Sequence, residues 1–194
     1  MEVRKKPFRC FTTRADGRVN VLKNEISVSE AYDPRSGDPA PQSKQFVGIW
    51  VTDATGGVIQ KRIADELGIS PSGRVVVHGV GKDGAPNELE PNAYLINIYL
   101  PNQVGLMAVK VSEGTISGAD ILIGMNVIGC GDFVITNFNE KTTWSFRVPS
   151  GEEIDFVKDL NDYNRKYEHP LMSDDQKRKE RNRLKRQRHG RENP

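Results

Sequence analysis

Between Phe46 and Phe146 the chain is cut into short apolar runs bounded by turn residues, and that spacing restricts the fold more than any other feature. Phe46 to Val51, Tyr94 to Leu100, Val104 to Val111, Phe133 to Thr136 and Thr143 to Phe146 are rich in β-branched and aromatic residues. Each is strand-sized, too short for an ordinary helix. Pro101-Asn102-Gln103 supplies a turn between two of them, and Asn137 to Lys141 a hairpin loop between the last two. Arg74 to Gly81 (RVVVHGVG) reads as a strand entering a glycine-rich loop. Upstream, Val19 to Leu22 and Ile26 to Ser29 read as two more short strands, and breaker-dense Asp33 to Pro41 as the tip of a long hairpin. Many short strands at close spacing predict an all-β domain, barrel-like or sandwich, over 1–150 with the strands at 19–29 included.

Two stretches within that domain break the pattern. Val58 to Leu67 sets Ile59, Ile63 and Leu67 at i, i+4 and i+8, which predicts a short helix capped by Gly68. Ala119 to Ile128 is strongly apolar and is interrupted at Gly124. From Gly151 the character changes. Ile154, Val157 and Leu160, extended by Tyr163 and Tyr167, give one apolar stripe and predict an amphipathic helix over 151–170, interrupted by His169-Pro170. Ser173-Asp174-Asp175 supplies an N-cap for a basic tail over 171–194, helical or disordered in isolation.

Charge is divided along the chain. Lys177 to Pro194 carries nine Lys and Arg against two Glu, which leaves 19 basic and 24 acidic residues elsewhere, an acidic body with a basic tail. Cys10 and Cys130 are the only cysteines and lie far apart, which argues against a disulfide framework and for a reducing compartment. The N-terminus has no apolar signal segment. No run approaches the roughly 20 apolar residues that span a bilayer. The expectation is a soluble, cytoplasmic protein without a membrane partner. His78, His169 and His189 are isolated, and Gly79-Val80-Gly81 is no phosphate loop without a following helix. Neither a metal nor a cofactor is expected.

The order of motifs from Phe46 to Ser150 resembles the bacterial-type retropepsin-like aspartic peptidases, relatives of the retroviral proteases. Ile49 to Ile59 (IWVTDATGGVI) stands where the family carries its active-site loop. The helix of VIQKRIADELG follows, then Val77 to Gly81 (VHGVG) where the family has its flap, then YLINIYLPNQVG. Leu122 to Ile128 (LIGMNVI) resembles the family's hydrophobic-hydrophobic-Gly element, which precedes a short helix and packs beneath that loop, and KTTWSFRVPS closes the series. The resemblance implies a closed β-barrel protomer with one or two short helices and a helical C-terminal extension. It also implies a homodimer in which each copy supplies one Asp-Thr-Gly loop. Two carboxylates meeting at the axis share a proton. One then activates water while the other polarises the scissile carbonyl of an extended peptide lying beneath the flaps. Gly79, Val80 and Gly81 are the substrate-binding residues so implied.

The loop departs from the family pattern. Aligned without gaps between Trp50 and Val58-Ile59, it puts Val51 on the catalytic Asp, Thr52 on the Thr that locks the two loops together, and Asp53 on the Gly. Three readings stay open. Asp53 is the working acid of a rebuilt loop, Asp53-Ala54-Thr55-Gly56; a two-residue slip keeps the strand face but moves the acid roughly 6–7 Å. Alternatively the fold is kept and catalysis is lost at Val51, leaving a peptide- or protein-binding module. In the third, Asp53 is a turn residue bonding its own backbone. If Asn126 caps the following helix, Asn and Asp serve about equally there, and it carries no functional meaning.

In the tail, Lys177, Arg178, Lys179, Arg181, Arg183, Lys185, Arg186 and Arg188 could neutralise phosphates of a nucleic acid. The absence of aromatics argues against base stacking. An acidic protein partner, or the acidic body of its own dimer, fits the same charge.

Overall fold

Apolar and polar side chains alternate along the strands, and the apolar set faces one interior. The computed structural model describes residues 7–33, 35–80, 86–167 and 173–189, and the chain divides into two units, 1–151 and 152–194. In the first unit the strands in chain order are β1 (Arg9–Arg14), β2 (Lys23–Glu30), β3 (Lys44–Trp50), β4 (Gly57–Ile59), β5 (Gly73–Arg74), β6 (Val77–Val80), β7 (Pro86–Leu89), β8 (Asn92–Leu100), β9 (Val104–Glu113), β10 (Ile121–Ile123), β11 (Asp132–Thr136) and β12 (Thr143–Val148). Two short helices, α1 (Lys61–Leu67) and α2 (Met125–Ile128), interrupt them.

Six strands close a barrel in the order β2-β3-β10-β4-β9-β8, and β8 pairs back onto β2 from Ser27↔Tyr99 to Glu30↔Ile96. Closure removes the free edges that an open sheet would expose. β10 runs parallel to β3 and antiparallel to β4, while β4 runs parallel to β9. Ile26, Val28, Ile59, Ile96, Ile98, Ile121 and Ile123 fill the core with essentially no exposure. A second sheet, β1-β12-β11, packs against the barrel, and β6 and β7 form a separate two-stranded hairpin.

The two sheets meet at an aromatic cluster. Trp50, the last residue of β3, stacks on Phe133 of β11 at 4.8 Å and lies 5.5 Å from Phe146 of β12. Beneath it, Asn24 Oδ1 accepts both the Trp50 indole N–H at 2.8 Å and the Trp144 indole N–H at 2.9 Å. The Asn24 amide in turn donates to Thr13 Oγ1 at 2.8 Å. One buried amide therefore ties β1, β2, β3 and β12 together directly below the residue that begins the candidate loop.

Several expectations shift. Val19 to Leu22 is not a strand; the N-terminal strands are β1, whose polar sequence RCFTTR gives no apolar run, and the longer β2. The helix expected from Val58 begins only at Lys61, because Gly57–Ile59 is drawn into the barrel between β9 and β10. Long-range pairing overrides the local helical period there. Gly68 closes α1 in the left-handed conformation, φ 67°, as its C-cap position requires. The closed all-β barrel with short helices matches the expected fold class.

In the second unit, α3 (Phe156–Tyr167) opens on Asp155, whose carboxylate accepts the backbone N–H groups of Val157 and Lys158. Phe156, Val157 and Leu160 on this helix are exposed. The next helix, α4 (Asp174–His189), opens on a reciprocal cap: Ser173 Oγ accepts the Gln176 N–H, and Gln176 Oε1 accepts the Ser173 N–H. His169 and Pro170 lie outside the described residues. Among the described residues no helix is long and apolar enough to cross a membrane.

Candidate functional site

The loop from Val51 to Gly56 leaves β3 and returns as β4, and β10 and α2 hold it from below. Val51 N–H donates to Ile123 O at 3.0 Å, which extends the β3–β10 pairing by one residue. The first N–H groups of a helix have no partner within it. In α2 these are Met125 and Asn126, and they donate instead to the loop carbonyls of Ala54 at 2.7 Å and Thr55 at 3.1 Å. Gly124 makes this approach possible. A Cβ there would lie 2.3 Å from Gly56 O and 2.8 Å from Ala54 O. The Leu122-Ile123-Gly124 element thus sits directly under the loop.

The loop separates two cavities. A cleft of about 530 Å³ is lined by Asp53 to Val58 on one side, by Val75, Val76 and Val77 leading into the β6–β7 hairpin, and by Lys110, Val111, Ser112 and Asn126. A smaller cavity of about 220 Å³ on the other side is lined by Trp50 and Thr52 with Leu22, Phe133, Ile135 and Thr142 among others. Asp53 and Thr52 therefore address different spaces. Asp53 is exposed, and among the described residues its carboxylate forms no hydrogen bond or ion pair. Val51 lines neither cavity.

Among the described residues, Asp53 is the only carboxylate lining the cleft and Lys110 the only cation. Val58, Val75, Val76, Val77 and Val111 make the apolar part of the walls, and Thr55, Ser112 and Asn126 the neutral polar part. Asn126 is not a cap. Gly124 holds that position, and the Asn126 amide donates to Lys110 O at 3.0 Å, fastening α2 to the cleft wall of β9. Sequence reasoning missed Lys110, Ser112 and the valine wall. The pairing of β4 with β9, from Gly57↔Val111 to Ile59↔Glu113, brings Lys110, Val111 and Ser112 to the loop, and no local signal encodes that pairing.

Of the expected substrate-binding residues, Gly79 and Val80 lie in β6, and Gly81 lies outside the described residues. Among the described residues no three His, Cys, Asp or Glu side chains gather as a metal site would need. The carboxylates that the fold perturbs stand elsewhere. The Tyr94 hydroxyl and the Asn92 amide donate to Glu113 and lower its pKa, while burial beside Glu113 raises that of Tyr94. Asp132 accepts from Ser150 Oγ, the Gly151 N–H and Arg147, which hold its pKa down at about 2. Neither Glu113 nor Asp132 lines the cleft.

The fold has distant counterparts among solved structures. It is similar to a retropepsin-like aspartic protease from Rickettsia conorii, with a TM-score of 0.44 at 11% identity, over 75% of this chain and 98% of that one. It is also similar to the retroviral protease-like domain of Ddi1 from Leishmania major, with a TM-score of 0.38 at 14% identity, over 60% of this chain and 82% of that one. No protein-family model matches the sequence, and no curated protein matches it. At such distance, the chemistry of the site has to be read from the chain's own residues.

Proposed function

We propose that the chain forms a retropepsin-like homodimer whose clefts hold an extended peptide or protein segment without cleaving it. The observation that carries this reading is Val51, the residue immediately after β3, where the motif order calls for a carboxylate. An isopropyl group cannot accept a proton from water, so general-base activation is lost at that position. What remains suits binding. The cleft is open, walled in part by valines, and bordered by Val77 at the start of the β6–β7 hairpin, the segment that the resemblance reads as a flap. Alternate side chains of an extended ligand would meet the valine wall, while its backbone hydrogen-bonds to strand edges.

A second reading is active endopeptidase chemistry through Asp53, favoured by the placement of Asp53 rather than Thr52 on the cleft. Among the described residues each chain supplies that one carboxylate to its cleft, so the proton-sharing pair of this reading takes a second copy. Incubating the wild-type protein with a peptide library between pH 3 and pH 7, and recording both cleavage and retained peptides, decides between the two. Retention without cleavage is expected. Cleavage that Asp53→Asn abolishes would overturn the non-cleaving reading, and neither retention nor cleavage would overturn peptide binding altogether.

A further inference from the structure

The helix α4 is polar on all sides, and Leu184 is its one apolar residue. Such a helix has no face to bury in a core or against a protein surface, where contacts centre on an apolar patch. Its order comes from the Ser173–Gln176 cap and from ion pairs spaced three residues apart, Lys177 with Asp174 at 3.5 Å and Arg183 with Glu180 at 3.7 Å. Its basic residues are not spread evenly. At 3.6 residues per turn, positions Lys177, Arg181, Lys185 and Arg188 fall within about 80° of one another, with Arg178 at the margin. Lys179, Arg183 and Arg186 fall on the opposite side. Asp174 and Asp175 stand in the first turn, where the helix dipole favours them, Asp174 on the stripe and paired with Lys177, while Glu180 lies off the stripe and pairs with Arg183.

We propose that this stripe is a docking strip for the phosphate backbone of a double-stranded nucleic acid, a binding activity separate from the peptide cleft. From Lys177 to Arg188 the helix rises about 16 Å. One strand of a duplex presents a phosphate every 3.4 Å or so along its axis, so the strip lies alongside about five phosphates. Four cations on one face match that run, and the absence of aromatics removes base stacking, which single-strand binders use. Recognition is of backbone charge, without sequence preference.

The test uses the 194-residue chain and a fluorescein-labelled DNA duplex of about 20 base pairs, with affinity read by anisotropy from about 50 to 200 mM salt. Four contacts predict a log–log salt slope of about −3.5, which is roughly a 100-fold loss of affinity over that range. Replacing the stripe by Lys177→Gln, Arg181→Gln, Lys185→Gln and Arg188→Gln removes nearly all of the slope. The matched change Lys179→Gln, Arg183→Gln and Arg186→Gln on the other face shifts it by less than one. Gln keeps helix propensity close to that of Lys and Arg, and circular dichroism confirms that both variants stay helical. Equal loss per charge from the two sets would overturn the stripe, and absence of wild-type binding at 50 mM salt would overturn the site. Displacement of the duplex by poly-glutamate at equal or lower charge concentration would assign the helix to an acidic protein instead, and overturn the proposal.

Discussion

The Asn24 side-chain oxygen accepts from two indoles at once, and its amide reaches Thr13, so its polar atoms are all committed while only 6% of the residue is exposed. Asn24→Leu keeps the volume but strands two buried N–H donors, each worth about 1–3 kcal/mol. The expected loss is about 2–4 kcal/mol in urea unfolding, and Thr13→Val, which removes only a hydroxyl partner, is expected to cost less. Because both tryptophans sit in the network, tryptophan emission in the folded variant reports the change directly. Asp132 makes a different kind of prediction. Its folded pKa, about 2, lies below the ordinary value of 3.8 because Ser150, Gly151 and Arg147 all donate to the charged form. A depressed carboxylate contributes stability that is complete above the unfolded value and lost as pH falls through the folded one. The stability gap between wild type and Asp132→Asn is therefore expected to be widest above about pH 5 and to close between pH 4 and pH 2. Denaturation midpoints measured at steps of pH check it; a gap that stays constant would mean that Asp132 acts through geometry alone.

At the scale of elements, the loop and α2 are a single device, since the helix N-terminus is satisfied by loop carbonyls rather than by a side-chain cap. Gly124→Ala tests that unit. With the added Cβ inside the contact distance of two loop carbonyls, the loop has to lift or β10 has to shift, at a cost of about 3 kcal/mol, the upper end of overpacking penalties. Peptide retention in the cleft should fall with it, while Gly17→Ala, where a Cβ meets nothing within 4 Å, leaves both unchanged. This unit was legible in advance: the run Leu122 to Ile128 broken by one glycine carries its own signal, as does the strand ending at Trp50. Elements whose existence depends on distant partners were not. Ile59 satisfies the helical period with Ile63, yet it is fully buried as a strand residue beside Ile121 and Glu113, because β9 and β10 offer it a slot that local periodicity cannot register. β1 has one buried apolar residue, Phe11, and is recognisable only through its six-residue pairing with β12.

For the whole molecule, the open question is how many carboxylates a cleft can command. Among the described residues one chain brings Asp53 alone to the cleft, so a proton-sharing pair built from them takes two chains. The double change Val51→Asp with Asp53→Gly restores the Asp-Thr-Gly-Ala order on a loop whose supports, Ile123 O below Val51 and the α2 N–H groups below Ala54 and Thr55, are already in place. If the proposed homodimer forms, the two introduced acids approach its axis and share a proton. The doubly changed protein should then cleave peptides with a bell-shaped dependence on pH, since one carboxyl has to be ionised and the other protonated. Its specific activity should also fall on dilution, because half-sites separate as the dimer does. Cleavage assayed across a hundredfold range of protein concentration, alongside sedimentation of the same samples, distinguishes the cases. Activity that tracks the dimer fraction supports a shared site built by two barrels. Dimers without activity would place the defect beyond Val51 and Asp53, and activity independent of concentration would mean that a single chain supplies both groups, against the single carboxylate among the described cleft residues.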